Sequence, residues 1–387
     1  MPVNLVILKS TLLGGGAERI VVGIADALPP HINGSIVTIY DTPAKYSHTT
    51  SRVSLISYSS SKTIRYLSFP IVFLKCLGIF HKNKYDVCLS TLSIENIINI
   101  ICSLVTVTKP LISVHGMPSH NYSNIDKMIK AIVFFLAKKT NTRVIAVSNG
   151  VRDELMRLHG LSESQISVIY NPIDISTIQE LAKEEELDCR VNTTVPLIVT
   201  VGRLNAVKGQ WHLIRAFAEL RKKHECQLLI CGEGPEKEYL SGLIKDLDIE
   251  DDVVFLGWQE NPYKYMKKST LFVQSSLSEA LPNVLVESMA CGCPVVAAGC
   301  SGGIEEILGL DNRCGFIVGK MSGERYSAKD ALDEGEMDLY SAMLRILEDM
   351  QLCADMSYAC KERAKMFDLD IGLQKYVELI EEARPNN

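Results

Sequence analysis

Short β-branched runs alternate with amphipathic helical stretches twice along the chain. Parallel sheets covered on both faces are the arrangement this alternation permits. In the first half the runs fall at residues 3–8, 35–40, 53–56, 87–90, 111–114, 144–147 and 166–169. In the second half they fall at 196–201, 227–231, 253–256, 271–274, 294–297 and 316–318. The expected fold class is therefore α/β, with two doubly wound, Rossmann-like domains and a cleft between them. In such sheets ligands bind at the carboxyl ends of the strands. A chain of 387 residues has room for two domains. The polar, acidic stretch 175–194 (Glu180, Glu184, Glu185, Glu186, Asp188) precedes a fresh strand and is expected to link them. Residues 1–180 are assigned to the first domain and 190–366 to the second.

Charge divides the chain at the same place. Residues 1–180 carry 17 Lys and Arg against 11 Asp and Glu, and the remainder carries 23 against 35. A basic half followed by an acidic one suggests domains facing different partners. No nucleic-acid partner is expected. The twelve cysteines are scattered, without clip or zinc spacing, and residues 1–10 read as a strand rather than a signal peptide. Reduced, mostly buried thiols and a cytoplasmic location are expected. The longest apolar run, 94–107, is too short to span a bilayer and is broken by Glu95 and Asn96.

The strongest local signal is the segment 278–287, Ser-Glu-Ala-Leu-Pro-Asn-Val-Leu-Val-Glu, which follows the run 271–274. Pro282 fits a helix start and Gly292 its end. Glu279 then stands ahead of the helix and Glu287 in its first turns. The amides of Leu281, Asn283 and Val284 would offer a phosphate site. Two carboxylates flanking it suit hydroxyls on either side of a diphosphate. The plain alternative is a cap-like Glu279 and an ordinary surface Glu287. A second signal, Gly202-Arg203-Leu204-Asn205-Ala206-Val207-Lys208-Gly209, opens a helix after the first strand of the second half. The Arg203 fork and the Lys208 point charge match a leaving diphosphate; a solvated basic turn is the alternative. Gly14, Gly15 and Gly16 follow the first strand and resemble a phosphate-cradling loop, although they are neither GxGxxG nor a P-loop. His115, beside Gly116, ends another run, where a histidine is either structural or at a ligand's edge.

These pieces, in this order and over nearly the whole chain, resemble the retaining glycosyltransferases of family four, which have the GT-B fold. Glu279 and Glu287 match that family's Glu-x7-Glu motif, Arg203 and Lys208 its basic pair, and Gly15 and Gly16 its N-terminal loop. Ser148-Asn149-Gly150 and Tyr170-Asn171-Pro172-Ile173-Asp174 resemble two further family segments. The resemblance implies a donor nucleotide-sugar held by Arg203 and Lys208 at the diphosphate, by Glu287 at the ribose and by Glu279 at the hexose. Backbone around Ala280, Leu281, Asn283 and Val284 would meet sugar and phosphate. Gly15 and Gly16 would close on the donor, with His115 near the reacting sugar. Backbone around Gly232, Glu233, Gly257 and Trp258 would support the base. The first domain would bind acceptor and the second donor, and residues 367–387 would form a helix crossing back to the first. No metal is expected, because cations from the protein neutralise the diphosphate and no DxD pair stands at a suitable place.

Leu281-Pro282, where mannosyl relatives often carry Phe-Gly, leans the donor towards UDP-hexoses or UDP-N-acetylhexosamines. Residues 42–85 hold no acid and seven cations: Lys45, Arg52, Lys62, Arg65, Lys75, Lys82 and Lys84. Ile64, Leu67, Ile71, Leu74 and Leu77 recur there at helical spacing, and Pro70 should kink the helix. Residues 62–84 are therefore expected to rest on an anionic membrane surface, against the alternative of a core-facing helix with a basic rim. The acceptor implied is a polyprenyl-diphosphate-linked oligosaccharide of O-antigen or capsule type. A nucleotide-sugar epimerase or a non-catalytic sugar-nucleotide-binding subunit of the same fold are the competing functions. A dehydrogenase is disfavoured by the lack of GxGxxG.

Overall fold

The apolar runs of the first half form one sheet and those of the second half another, in a computed structural model that describes residues 2–43, 49–59, 61, 68–120 and 123–384. The first sheet comprises β1 (Val3–Lys9), β2 (Ile32–Asp41), β3 (Arg52–Ser57), β4 (Val87–Ser90), β5 (Lys109–Val114), β6 (Arg143–Ala146) and β7 (Ile166–Val168). Its order is β3-β2-β1-β4-β5-β6-β7. The second comprises β8 (Leu197–Val201), β9 (Gln227–Cys231), β10 (Val253–Gly257), β11 (Leu271–Gln274), β12 (Val295–Ala298) and β13 (Gly315–Val318), ordered β10-β9-β8-β11-β12-β13. Every described pairing is parallel. Parallel neighbours need crossovers, which explains why helices recur between the strands.

In the first unit these are α1 (Gly16–Asp26), α2 (Phe69–Asn83), α3 (Ser93–Ser103), α4 (Asn124–Lys139) and α5 (Asn149–His159). In the second they are α6 (Ile175–Leu181), α7 (Gln210–Arg221), α8 (Lys237–Asp246), α9 (Tyr263–Lys268), α10 (Asn283–Ala290), α11 (Gly302–Leu308), α12 (Glu334–Glu348) and α13 (Met350–Ala364). The strands are apolar because both their faces are covered: Leu5, Val6, Ile7 and Leu8 of β1 are all fully buried. Each such side chain contributes about 1.5–3 kcal/mol of burial. Strand order reverses once per sheet, between β1 and β4 and between β8 and β11. Such switch points place ligands at the carboxyl ends of the flanking strands.

The chain divides into compact units Met1–Ile173 with Leu369–Asn387, and Asp174–Asp368. The stretch expected as a linker thus opens with a packed helix. α6 buries Ile175 and Ile178 and packs on α9 and α10, and Asp174 caps it, accepting from Thr177 N at 2.8 Å. Glu180 is its one acid and is exposed, while Glu184, Glu185, Glu186 and Asp188 follow the helix; together they hid a short amphipathic helix. The last helix, α14 (Leu369–Glu382), completes the first unit. Gly372 abuts Pro172, and Glu381 pairs with His31 at 2.8 Å. Pro70 lies in the first turn of α2, so it starts that helix instead of kinking it. Of the segment 62–84, residues 62–67 lie outside the described residues, as does Lys45. No helix among the described residues is long and apolar enough to cross a membrane. All twelve cysteines are free thiols.

Candidate functional site

In the second unit the loops leaving β8, β9 and β10 are stitched together beyond the sheet. Gly202 N donates to the Cys231 carbonyl at 2.9 Å, Leu204 N to Glu233 at 2.9 Å, and Gly232 N to Gly257 at 2.7 Å. The approach is close enough that a Cβ on Gly232 would stand 1.9 Å from the Gly202 oxygen, so glycine is required there. Gly232, Glu233, Gly257 and Trp258 therefore share one edge with the Gly202–Gly209 loop. Glu233 is exposed and the Trp258 ring is 47% exposed. Arg203 is exposed and makes no ion pair among the described residues.

Across the switch point, Lys208 and Glu279 meet. Lys208 Nζ lies 2.6 Å from Glu279 Oε1, and Gln274 Nε2 donates to the same oxygen at 3.3 Å. Their side chains are 26% and 16% exposed. α10 begins at Asn283 with Pro282 as its N-cap and ends before Gly292, which has φ +75°. Ala280 and Leu281 are buried because α11 presses on them: a Cβ on Gly303 would stand 2.0 Å from the Ala280 oxygen. Asn283, Val284 and Glu287 are half-buried on the first turns of α10. Gln274 Oε1, Ser276 Oγ and Ser301 Oγ, on the same strand ends, are buried and have no partner among the described residues. Buried polar atoms are rarely left so, and their position suits a polyhydroxylated ligand. The arrangement offers cations, helix amides and carboxylates together, which is the chemistry of holding a diphosphate between two hydroxyl-bearing groups.

In the first unit the Gly14–Gly15–Gly16 loop is held by carboxylates. Glu18 accepts from Gly14 N at 2.6 Å and from Thr11 Oγ1 at 3.0 Å, and Glu95 accepts from Ser10 N at 2.6 Å. Gly14 has φ +106°, whereas Gly15 is extended and a Cβ there would meet nothing within 4 Å. Gly15 thus faces open space among the described residues. Lys9 is fully buried and donates to Thr91 Oγ1 at 2.7 Å, its ammonium held below the usual lysine range by burial, against the pull of Glu95 and Glu18. His115 Nε2 lies 3.0 Å from Ser113 Oγ, which is 3.5 Å from the hydroxyl of buried Tyr376. Ser148 caps α5, accepting from Val151 N at 3.2 Å.

Burial pushes the His115 imidazole down to about 3, the Lys9 cation adds to this, and contact with buried Asn171 opposes it. The ring is neutral at pH 7. The unfolded chain takes the proton first, near its ordinary value of 6.5. The stability that neutral His115 contributes is therefore full above about pH 6.5 and is lost as pH falls towards 3. His115→Asn is expected to show a shallower acid-side fall in urea-unfolding free energy over that window. A pH–stability curve parallel to the parent's sinks this assignment.

Lys9, Thr91 and Glu95 carry no motif in the sequence, and Asn171 belongs to the segment Tyr170–Asp174 without a role there. The available signals were polar groups inside apolar stretches: Lys9 closing β1, and Glu95 interrupting the run 94–107. Among the described residues, only His212, Asp333 and Glu336 cluster at metal-ligand spacing. Their donor atoms are already used. Glu336 Oε1 accepts from His212 Nδ1 at 2.8 Å and Arg215 Nε at 2.9 Å, and Asp333 accepts from Glu336 N at 2.8 Å. A guanidinium at the centre of the cluster opposes a cation, so the cluster is read as a structural pin.

Two family profiles match the chain. "Glycosyltransferase Family 4" covers residues 14–177 and "Glycosyl transferases group 1" residues 183–363. One similar curated protein is the N-acetylgalactosamine-N,N'-diacetylbacillosaminyl-diphospho-undecaprenol 4-alpha-N-acetylgalactosaminyltransferase of Campylobacter jejuni. It is 28% identical over 92% of this chain and 94% of its own length. The lipopolysaccharide 1,6-galactosyltransferase of Salmonella typhimurium is 30% identical over 42% of this chain and 45% of its own length. Among solved structures, Anabaena HepE with UDP and glucose superimposes at a TM-score of 0.79 with 20% identity, over 98% of this chain and 100% of that one.

Proposed function

Because the chain belongs to the family-four, group 1 glycosyltransferases of GT-B fold, we propose that it moves a hexose or N-acetylhexosamine from a UDP-sugar, with retention, to a sugar hydroxyl of a polyprenyl-diphosphate-linked oligosaccharide. The observation that carries the donor half is the meeting of Lys208 and Glu279 at 2.6 Å beside the α10 N-terminus. Lys208 and Arg203 take the diphosphate, whose charge grows as the glycosidic bond breaks. Glu287 takes the ribose and Glu279 the hexose. Gly232, Glu233, Gly257 and Trp258 line the side given to the base. Ala280, Leu281, Asn283 and Val284 present backbone to sugar and phosphate. Gly15, Gly16 and His115 serve the reacting sugar, His115 as a neutral hydrogen-bonding group.

Neither Glu279 nor Glu287 is assigned as acid or base. The paired lysine and the helix position suit hydroxyl recognition, and no carboxylate is identified for a double displacement. Departure of the diphosphate with attack from the same face is the mechanism that this set of groups supports. No metal enters it, since Arg203, Lys208 and helix amides carry the charge. The acceptor reading draws on the relatives' named activities and on the basic first half of the chain. It puts the protein at the cytoplasmic face of a membrane, held peripherally through residues 62–84.

A thermal-shift panel of nucleoside diphosphates and nucleotide-sugars tests the donor. Saturation at 100 Kd stabilises a native state by about 2.7 kcal/mol, so UDP and one UDP-sugar should raise the melting temperature by several degrees. A flat panel, or isomerisation of labelled UDP-sugar without transfer, overturns the reading.

A further inference from the structure

We propose that an apolar cavity in the first unit holds the hydrocarbon chain of the acceptor, immediately beside the glycine loop. This rests on the lipid-linked acceptor reading above and adds a binding site to it. The cavity has a volume of about 600 Å³, within the usual range of about 300–1,000 Å³ for small-molecule sites. It opens beside the β1–β4 switch point, and its walls differ in kind. Val72 of α2, Ile94 and Ile97 of α3 and Ile129 of α4 form an aliphatic wall, with Ile39 of β2 at its floor. Ser10 and Thr11, at the end of β1, form the polar side. These two are fixed by Glu95 and Glu18, the carboxylates that set the Gly14–Gly16 loop.

A sugar could meet Ser10, Thr11, Tyr40 and Tyr58 at one side, but its hydroxyls against the aliphatic wall would be left without partners, which burial penalises. A hydrocarbon chain suits it, with the polar end of the same molecule at Ser10 and Thr11. The helices that build the wall also indicate the ligand's charge and origin. α2 and α4 present exposed apolar side chains beside those that line the cavity. Leu74 is 64% exposed, Met128 58% and Phe135 59%, and Ile71, Ile125 and Ile132 are also exposed. Lysines 75, 127, 138 and 139 lie on the same two helices, all of them exposed. Apolar faces rimmed by lysine match an amphiphile with an anionic head.

The test uses the full chain without membranes or donor, and calorimetric titration of geranylgeranyl diphosphate against inorganic pyrophosphate. One saturable prenyl site is expected, with pyrophosphate at least tenfold weaker. Ile129→Trp, which fills the cavity without adding charge, and Ile97→Asp should each weaken prenyl binding at least tenfold while the melting temperature stays near the parent's. If Ile97→Asp fails to fold, Ile129→Trp decides. Equal affinity for pyrophosphate, or variants that bind as the parent does, overturns the inference. So does displacement of the prenyl chain by phosphatidylglycerol vesicles at equal lipid concentration, which would reassign the face to bulk bilayer contact. The two readings fail separately. Prenyl binding without any sugar transfer keeps the cavity's role and removes the proposed function. Transfer that is indifferent to chain length, without prenyl binding, does the reverse.

Discussion

Arg203→Ala combined with Lys208→Ala is expected to lower kcat/KM for sugar transfer by about 10³-fold or more, since loss of a single donor to a developing anion costs about 10²–10³. The two changes act on one diphosphate, so their effects should not simply multiply. Stability should change little from Arg203, which is exposed and unpaired among the described residues. Lys208→Ala removes the 2.6 Å partner of a half-buried carboxylate, but Gln274 still donates to Glu279. The loss should therefore appear in turnover far more than in the melting temperature. Initial-rate kinetics on a labelled UDP-sugar give the comparison. Turnover within tenfold of the parent means that these cations do not carry the departure of the diphosphate.

Arg215→Ala is the second large effect, and it falls on folding. Arg215 is buried and holds Glu336 through Nε at 2.9 and 3.0 Å. Its remaining donors reach the carbonyls of Ser327, Asp330 and Ala331. Glu336 is fully buried and would keep only His212 and the cap of α12. Breaking such a pair from one side costs about 3–5 kcal/mol, read as a drop in the urea midpoint. The double change Arg215→Met with Glu336→Leu removes both charges and should recover much of the loss. If the double variant is as unstable as the single one, a stranded charge is not the cause. The pin also reaches the site. His212 Nε2 accepts from Gly323 N at 3.2 Å, and Leu277, two residues from Glu279, packs against the positions of both Gly209 and Gly323.

The sheets were legible because parallel strands covered on both faces leave an unmistakable apolar trace, and the observed strand ends differ from the expected ones by few residues. Glu279, Glu287, Arg203 and Lys208 were legible as motifs, but only the fold brings Lys208 to Glu279, 71 positions apart in the chain. The misread places have physical reasons. α6 is seven residues long and is followed directly by Glu184, Glu185, Glu186 and Asp188, so its two buried isoleucines looked incidental. Pro70 reads as a kink until the start of α2 is known. Lys9 and Glu95 sit in apolar runs, where a single charge looks like noise unless its partner, remote in sequence, is visible. The Arg215–Glu336 pin joins residues 121 apart, and no local pattern announces it.

The last helix has a consequence for how the protein is made. α14 packs on α1, and its Tyr376 reaches Ser113, the residue beneath His115. Domains usually complete themselves in the order of synthesis, the N-terminal one first. Here residues 174–368 are contiguous and can close as soon as they leave the ribosome, whereas the earlier-made unit waits for the final stretch from Leu369. A nascent chain stalled before that point would carry a finished second unit and an open first one, with the surroundings of His115 unsealed. The later-made unit can therefore close before the earlier one, which becomes complete only after the stretch from Leu369 has emerged.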